Sequence, residues 1–237
     1  MKSTELYQIY QSALDSCIAN ISEIPGPGDG GPAFPLTIQP PVGYEEAKLK
    51  VMYFGQETNG WKDNSSDHFN VNLNLEQLLI IYNAFANTHK CFGYGGQFWN
   101  AVRRFQRDFS SVEPNCHFIY NNIIKIGKAH SKGRPPTAVL EWQKDWFNLI
   151  REEIRILNPD VVIFFSGPNY DHLISRIFDD VNFDKVGEYK TRKLARISSS
   201  FLPRHTFRTY HPNYLWRVGL QGVLDTIKME VCEKSAT

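Results

Sequence analysis

Apolar residues along this chain switch between two rhythms, and the switches predict alternating helices and strands. Leu6, Ile9, Tyr10, Ala13, Leu14, Cys17, Ile18 and Ile21 recur at helical spacing, so an amphipathic helix is expected to open the chain. Residues 25–43 are rich in Pro and Gly and read as neither helix nor strand interior. Leu49, Val51, Met52, Tyr53 and Phe54 are too short a run for a helix and end at Gly55, which predicts a strand over 48–54. Apolar-rich stretches at 73–85 and around Phe98, Trp99, Val102 and Phe105 predict two further helices. Residues 117–124 read as a second strand that leaves into a basic Gly/Pro loop at 127–136. The clearest helix is expected over 138–157, carrying Leu140, Trp142, Trp146, Leu149, Ile150, Ile154 and Leu157, with Asn158-Pro159 as its stop. The nearly unbroken apolar run from Val161 to Phe165 is the pattern of a strand buried on both faces. A helix over 170–178, a variable segment, a strand of 207–210 running into His211 and a helix over 218–231 complete the series.

Strand and helix taking turns predict a three-layer α/β/α fold, with a largely parallel central sheet of about four strands. The 237 residues are read as one domain, of which 1–44 form a helical and Pro/Gly-rich lead-in. With 42% hydrophobic and 22% charged residues the composition is that of an ordinary globular protein. No stretch reaches the roughly 18 consecutive apolar residues of a membrane span. The first residues also lack a signal-peptide pattern, and a cytoplasmic protein is expected. Cys17, Cys91, Cys116 and Cys232 lie at no metal-binding spacing, so no metal and no cofactor are predicted and the thiols read as free.

Two segments carry the candidate chemistry. Gly55-Gln56-Glu57-Thr58-Asn59-Gly60-Trp61 follows the first strand, and His211-Pro212-Asn213 follows the last. In an open α/β sheet ligands bind beyond the carboxyl ends of the strands, so a carboxylate and an imidazole delivered there can meet one substrate. The formal charge is only +1, but the cations are clustered. Lys125, Lys128, Lys132 and Arg134 crowd one loop, while Lys190, Arg192, Lys193, Arg196, Arg204, Arg208 and Arg217 surround the second segment. Such clusters suit phosphate binding. Neither GxSxG nor GxxxxGK[ST] occurs, and Gly93-Tyr94-Gly95-Gly96 does not sit between strand and helix as a dinucleotide loop would.

In order, these pieces resemble the uracil-DNA glycosylase superfamily over about residues 45–220. The strand into Gly55-Gln56-Glu57 resembles that family's first motif, and Phe92-Gly93-Tyr94-Gly95-Gly96-Gln97-Phe98 is similar to its Pro-Phe-x-Gly segment. Tyr120-Asn121-Asn122-Ile123-Ile124-Lys125 resembles the strand ending in Asn-x-x-Lys. Asn158-Pro159-Asp160 with the strand that follows and Gly167 is like its helix-to-strand element, and Tyr210-His211-Pro212-Asn213-Tyr214-Leu215-Trp216-Arg217 its His-Pro loop and wedge. The chain departs from the family in having Thr58 for the motif's proline, Asn59 for the residue after it and an added helical segment at 73–85. It would be a divergent member without iron–sulfur cysteines.

The resemblance implies a hydrolase that flips a nucleotide out of DNA and cleaves its N-glycosidic bond, releasing uracil or a related damaged base. Glu57 would orient water and stabilise the cationic sugar, and His211 would donate to the departing base. Gln56, Asn59, Phe92 and Asn122 would contact the base, with Phe92 the stacking ring and Phe69 its reserve. Asn121, by strand alternation, should face the other way from Asn122. Lys125, Arg192, Lys193, Asn213, Leu215, Trp216 and Arg217 would hold DNA, Leu215 and Trp216 as the wedge. Two other classes fit the same residues: a binding module that has lost hydrolysis, and a hydrolase of small nucleosides or nucleotides.

Overall fold

The computed structural model describes residues 2–24, 31–59, 61, 68–88 and 90–232; the side chains of Asn59 and Phe92 lie outside this description. Helix α1 (Lys2–Ala19) buries Leu6, Tyr10, Ala13, Leu14 and Cys17, the stripe its spacing predicts. Strand β1 (Pro32–Pro35) follows, inside the segment expected to hold no strand. It pairs antiparallel with one neighbour and ends the sheet. Pro cannot donate to a ladder but is tolerated on such an edge, which is why composition misread this stretch.

Strand β2 (Leu49–Asn59) runs five residues beyond its expected end at Phe54. Helix α2 (Leu75–Tyr82), N-capped by Asn74, continues as a π-helical turn over Asn83–Asn87. Helix α3 (Gln97–Val112) and strand β3 (Cys116–Lys128) come next. The predicted long helix is two: α4 (Thr137–Trp146) and α5 (Ile150–Leu157). They separate at Phe147, whose backbone leaves the helical region while its ring is buried in the core. Strand β4 (Val161–Phe164), helix α6 (Asp171–Ile177), and strands β5 (Asn182–Lys185), β6 (Leu194–Ser198) and β7 (His205–Thr209) lead to α7 (Pro212–Arg217) and α8 (Gly222–Cys232). The terminal helix, expected over 218–231, starts later, at Gly222, and is preceded by the separate short helix α7 over the His-Pro segment.

Among the described residues the sheet has seven strands in the order β1-β3-β2-β4-β7-β6-β5, where about four were expected. Its centre, β3-β2-β4-β7, is parallel throughout. The added strands β1, β6 and β5 pair antiparallel with their neighbours and lie outside this centre, β1 and β5 as the two edges. Period-two alternation divides the core: Met52, Phe54, Val162 and Phe164 pack with α1, α2, α4, α5 and α6. Val51, Tyr53, Val161 and Ile163 pack with α3, α7 and α8 on the other side. Helices thus cover both faces. Among the described residues no helix is long and apolar enough to cross a membrane.

Lys125, expected at the DNA surface, is buried in the first of these cores. Its ammonium donates to Glu153 Oε1 at 2.5 Å and to Asn121 Oδ1 at 2.8 Å, with side-chain exposures of 1% and 0% for the ion pair. Asn121 Nδ2 donates to Glu153 Oε2 at 2.8 Å, and the Tyr10 hydroxyl donates to Glu153 while accepting from Ile38 N. Asn121 thus faces α5, as alternation on β3 requires. The network ties α1, α5 and β3 together, and burial lowers the Lys125 pKa against the pull of Glu153. Removing one partner of such a pair strands a buried charge. Lys125→Met is therefore expected to lower the unfolding free energy by about 3–5 kcal/mol in urea titrations. A loss under about 1 kcal/mol, the range of exposed pairs, would contradict this account.

Candidate functional site

Unequal strand lengths make the crevice. Phe54 is the last β2 residue paired with β4, opposite Phe164, whereas β3 accompanies β2 as far as Asn59, opposite Lys128. Residues 55–59 therefore extend past β4 with one edge unpaired by that strand. The chain crosses from β2 to β3 on one side and to β4 on the other, so this overhang lies at the sheet's switch point. The first motif, expected as a loop, is an extended strand end.

Gly55 is fixed there by close approach: a Cβ at this position would sit 2.3 Å from an end of the Asn122 side-chain amide. Asn122, its register partner, is fully buried. With its amide oriented so that both ends are satisfied, Oδ1 accepts from the Tyr120 hydroxyl at 2.9 Å and from Thr58 N at 3.3 Å, and Nδ2 donates to Asn121 O at 3.1 Å. Asn122 was expected to read a base edge; here it locks the β2 overhang to β3. Gln56 Nε2 donates to Ser166 O at 2.7 Å, tying the overhang to the turn after β4.

Glu57 is half-buried, and Tyr170 donates its hydroxyl to Oε2 at 2.5 Å. Burial raises the carboxyl pKa above the ordinary carboxylate value; the Tyr170 hydrogen bond and the nearby Lys128 and Arg134 charges pull the other way. Tyr170 itself is placed by its neighbour. Asp171 takes the fully buried Arg208 bidentately, Nε to Oδ1 and Nη2 to Oδ2, each at 2.8 Å. Arg208 therefore belongs to the interior, not to the surface cations.

The same guanidinium donates to the carbonyls of Thr191 and Arg192 at 3.0 and 3.1 Å, and Thr209 Oγ1 donates to Lys193 O at 3.1 Å. The turn before β6 is thus pinned beside the carboxyl end of β7, and it exposes Arg192 and Lys193 at the rim.

His211 N-caps α7: its Nδ1 accepts from Asn213 N at 3.2 Å. A backbone N–H can only donate, so Nδ1 carries no proton and Nε2 is the N–H of a neutral ring. Burial lowers the imidazole pKa, which keeps that form. Phe98 stacks on His211 with centroids 5.5 Å apart, and Gly167 N donates to Thr209 O at 2.9 Å, joining the turns after β4 and β7. Gly167 has φ +75°, and a Cβ there would press on Tyr210.

Rings connect the two halves. Phe98 contacts Tyr120 at 5.8 Å, and the Tyr120 hydroxyl reaches Asn122 and feels the Glu57 charge. Of the sequence candidates, Gln56, Glu57, Asn122 and His211 border this region, with Arg192 and Lys193 at its rim. Asn213 and Arg217 are exposed on α7, Arg217 lying 5.1 Å over the Tyr214 ring. Leu215, expected as a wedge, is fully buried against α3 and α8, and Trp216 is partly buried in the same cluster. Phe69, the reserve stacking ring, packs edge-on against Trp142 in the core at 5.1 Å. Phe92 and Asn59 side chains fall outside the described residues. Sequence reading missed Tyr170, Tyr120 and the stacking role of Phe98. Their signal was weak, since each lies in a helix or strand where an aromatic reads as core.

The fold and site define an α/β protein, parallel at its centre, with a carboxylate and a neutral imidazole at a switch-point crevice. No protein-family model matches the chain, and no curated protein matches it.

Two measurements check this geometry. In NMR titration the His211 ring is expected to stay an Nε2–H tautomer and to protonate below the 6.5 of a free imidazole; a midpoint at or above that value would refute its burial. Because the folded pKa is depressed, any stability His211 contributes is present above the unfolded value and lost as the pH falls through it. Gly55→Ala is expected to lower stability by about 1–3 kcal/mol through overpacking against Asn122, and an unchanged thermal midpoint would show that Asn122 is not held there.

Proposed function

We propose that the chain is a DNA glycosylase-like hydrolase of the uracil-DNA glycosylase superfamily, cleaving the N-glycosidic bond of uracil or a related damaged base. The observation that carries the reading is that Glu57, held by Tyr170, and His211, a neutral Nε2–H donor stacked on Phe98, both lie at the carboxyl ends of the central strands and are linked through Phe98 and Tyr120. Supporting it are the order of the motifs and the exposed Arg192 and Lys193 beside the crevice.

As the glycosidic bond lengthens, its electron pair moves onto the base and positive charge grows on the sugar. The Glu57 carboxylate stabilises that cation and takes the proton of the attacking water. His211 donates from Nε2 to the oxygen on which the leaving base accumulates charge, and a neutral donor gains most where the negative charge develops. Phe98 holds the His211 ring by stacking, and the rim cations engage phosphates without reading sequence. DNA is thus the partner.

One observation favours the module without hydrolysis: the Asn122 amide is satisfied within the protein, so it is not offered to a base. Base release from single-stranded and duplex DNA containing uracil separates the readings. Release is expected to fall about a hundredfold or more in Glu57→Gln and in His211→Ala. Tight DNA binding with no release from any modified base would leave the module.

The pH dependence gives a second check. Glu57 acts as the anion, so the rate rises through its elevated pKa. Tyr170→Phe removes a hydrogen bond that favours the anion and is expected to move this acid limb to higher pH; an unmoved limb would remove Glu57 as the titrating base.

A further inference from the structure

The Gly93-Tyr94-Gly95-Gly96 segment, which neither the fold nor the crevice chemistry accounts for, stands at the outer end of a continuous path of rings. From His211 the path runs to Phe98 at 5.5 Å, on to Tyr120 at 5.8 Å, to Phe85 at 5.9 Å and to Tyr94 at 5.7 Å. Trp99 flanks it, 5.5 Å from Phe85 and 5.2 Å from Tyr120. Trp61 braces Phe85 edge-on at 5.2 Å. Phe85 is delivered by the π-helical turn Asn83–Asn87, a distortion that re-aims side chains and recurs at functional sites.

The path opens outward. His211, Phe98, Trp99, Phe85 and Tyr120 are partly buried, whereas Tyr94 is 49% exposed. Around it the backbone is bare: a Cβ on Gly93, Gly95 or Gly96 would meet nothing within 4 Å. A flat ligand can therefore approach the loop closely. Charge narrows the choice of ligand. From Gln77 to Arg107 the sequence has no Asp or Glu but has four cations; Arg104 pairs with Asp108 and Asp225 and Arg107 with Asp108, which leaves Lys90 and Arg103 as the ones that bear on the loop. Arg103 Nη1 donates to the Tyr94 carbonyl at 3.2 Å, which brings a cation to the loop itself.

Aromatic faces with Arg103 at the loop and Lys90 shortly before it in sequence match the physics of single-stranded nucleic acid binding, in which bases stack on rings while Lys and Arg follow the backbone. An apolar protein partner has no use for the cations, and a duplex keeps its base faces hidden. We propose that Tyr94 and Phe85 form a stacking platform for the bases next to the one taken into the crevice, so that the ligand is single-stranded DNA engaged over more than one nucleotide. The inference rests on the reading of the crevice as a base-binding site.

The test reads binding alone. Fluorescence anisotropy is measured with the full chain, a labelled oligothymidylate of about 15 nucleotides and the same strand annealed to its complement. The single strand is expected to bind at least about tenfold more tightly than the duplex. Tyr94→Ala, exposed enough to fold normally as checked by circular dichroism, is expected to weaken single-strand binding about tenfold, and Tyr94→Phe to restore it. Unchanged affinity in Tyr94→Ala, or a duplex bound as tightly as the strand, overturns the platform. The probe contains no excisable base, so failure of the glycosylase reading, seen as absent base release, is a separate result.

Discussion

The structure turns on a mismatch in strand length. β2 is hydrogen-bonded on both sides by parallel neighbours, but β4 stops at Phe164 while β3 continues to Lys128. Parallel pairing puts all the carboxyl ends at one side of the sheet, and the early end of β4 leaves a gap there. Residues 55–59 overhang that gap, held flat against β3. Gly55 permits the contact, because any side chain would displace the Asn122 amide. Glu57 owes its half-burial, and hence its raised pKa, to this overhang.

Two buried cations, each with a carboxylate partner, hold the walls of the gap in place. Lys125 with Glu153 fixes β3 to α5, and Tyr10 extends the same network to α1. Arg208 with Asp171 fixes β7 to the start of α6, where Tyr170 meets Glu57, and also clamps the turn that presents Arg192 and Lys193. Buried ion pairs are poor sources of net stability, since desolvation offsets much of their attraction. Their geometric demands are strict, however, and here they fix the relative placement of elements remote in sequence. The buried lysine and the buried arginine hold the site without touching a ligand.

The proposed chemistry and the proposed platform use opposite ends of one aromatic path. At the inner end Phe98 holds the His211 ring in a buried, neutral state, which suits it to donate a hydrogen bond. At the outer end Tyr94 is exposed on a glycine loop beside Arg103. Stacking of successive bases along the path would place one nucleotide at the carboxylate and its neighbours on the rings. Affinity and bond cleavage would then be separable, since they draw on different side chains.

Periodicity alone determined the alternation of helix and strand, the parallel centre of the sheet and the two segments at its carboxyl edge, because burial on both faces of a strand leaves an unbroken apolar run such as 161–165. Alternation also assigned Asn121 and Asn122 to opposite sides of β3. Edge strands were invisible: β1 is four residues, two of them Pro, inside a Pro/Gly-rich segment, and β5 is mostly exposed, so neither shows a strand pattern. The break within an apolar stretch at Phe147 was equally hidden, because a buried ring looks the same to a pattern in either backbone state. Whether a cation faces solvent was decided only by tertiary structure. Lys125 and Arg208 are as basic in sequence as Arg192 and Lys193, but carboxylates from distant helices, Glu153 and Asp171, draw the first two inside. Local sequence sets what a side chain can do, and the partner that the fold brings to it sets what it does.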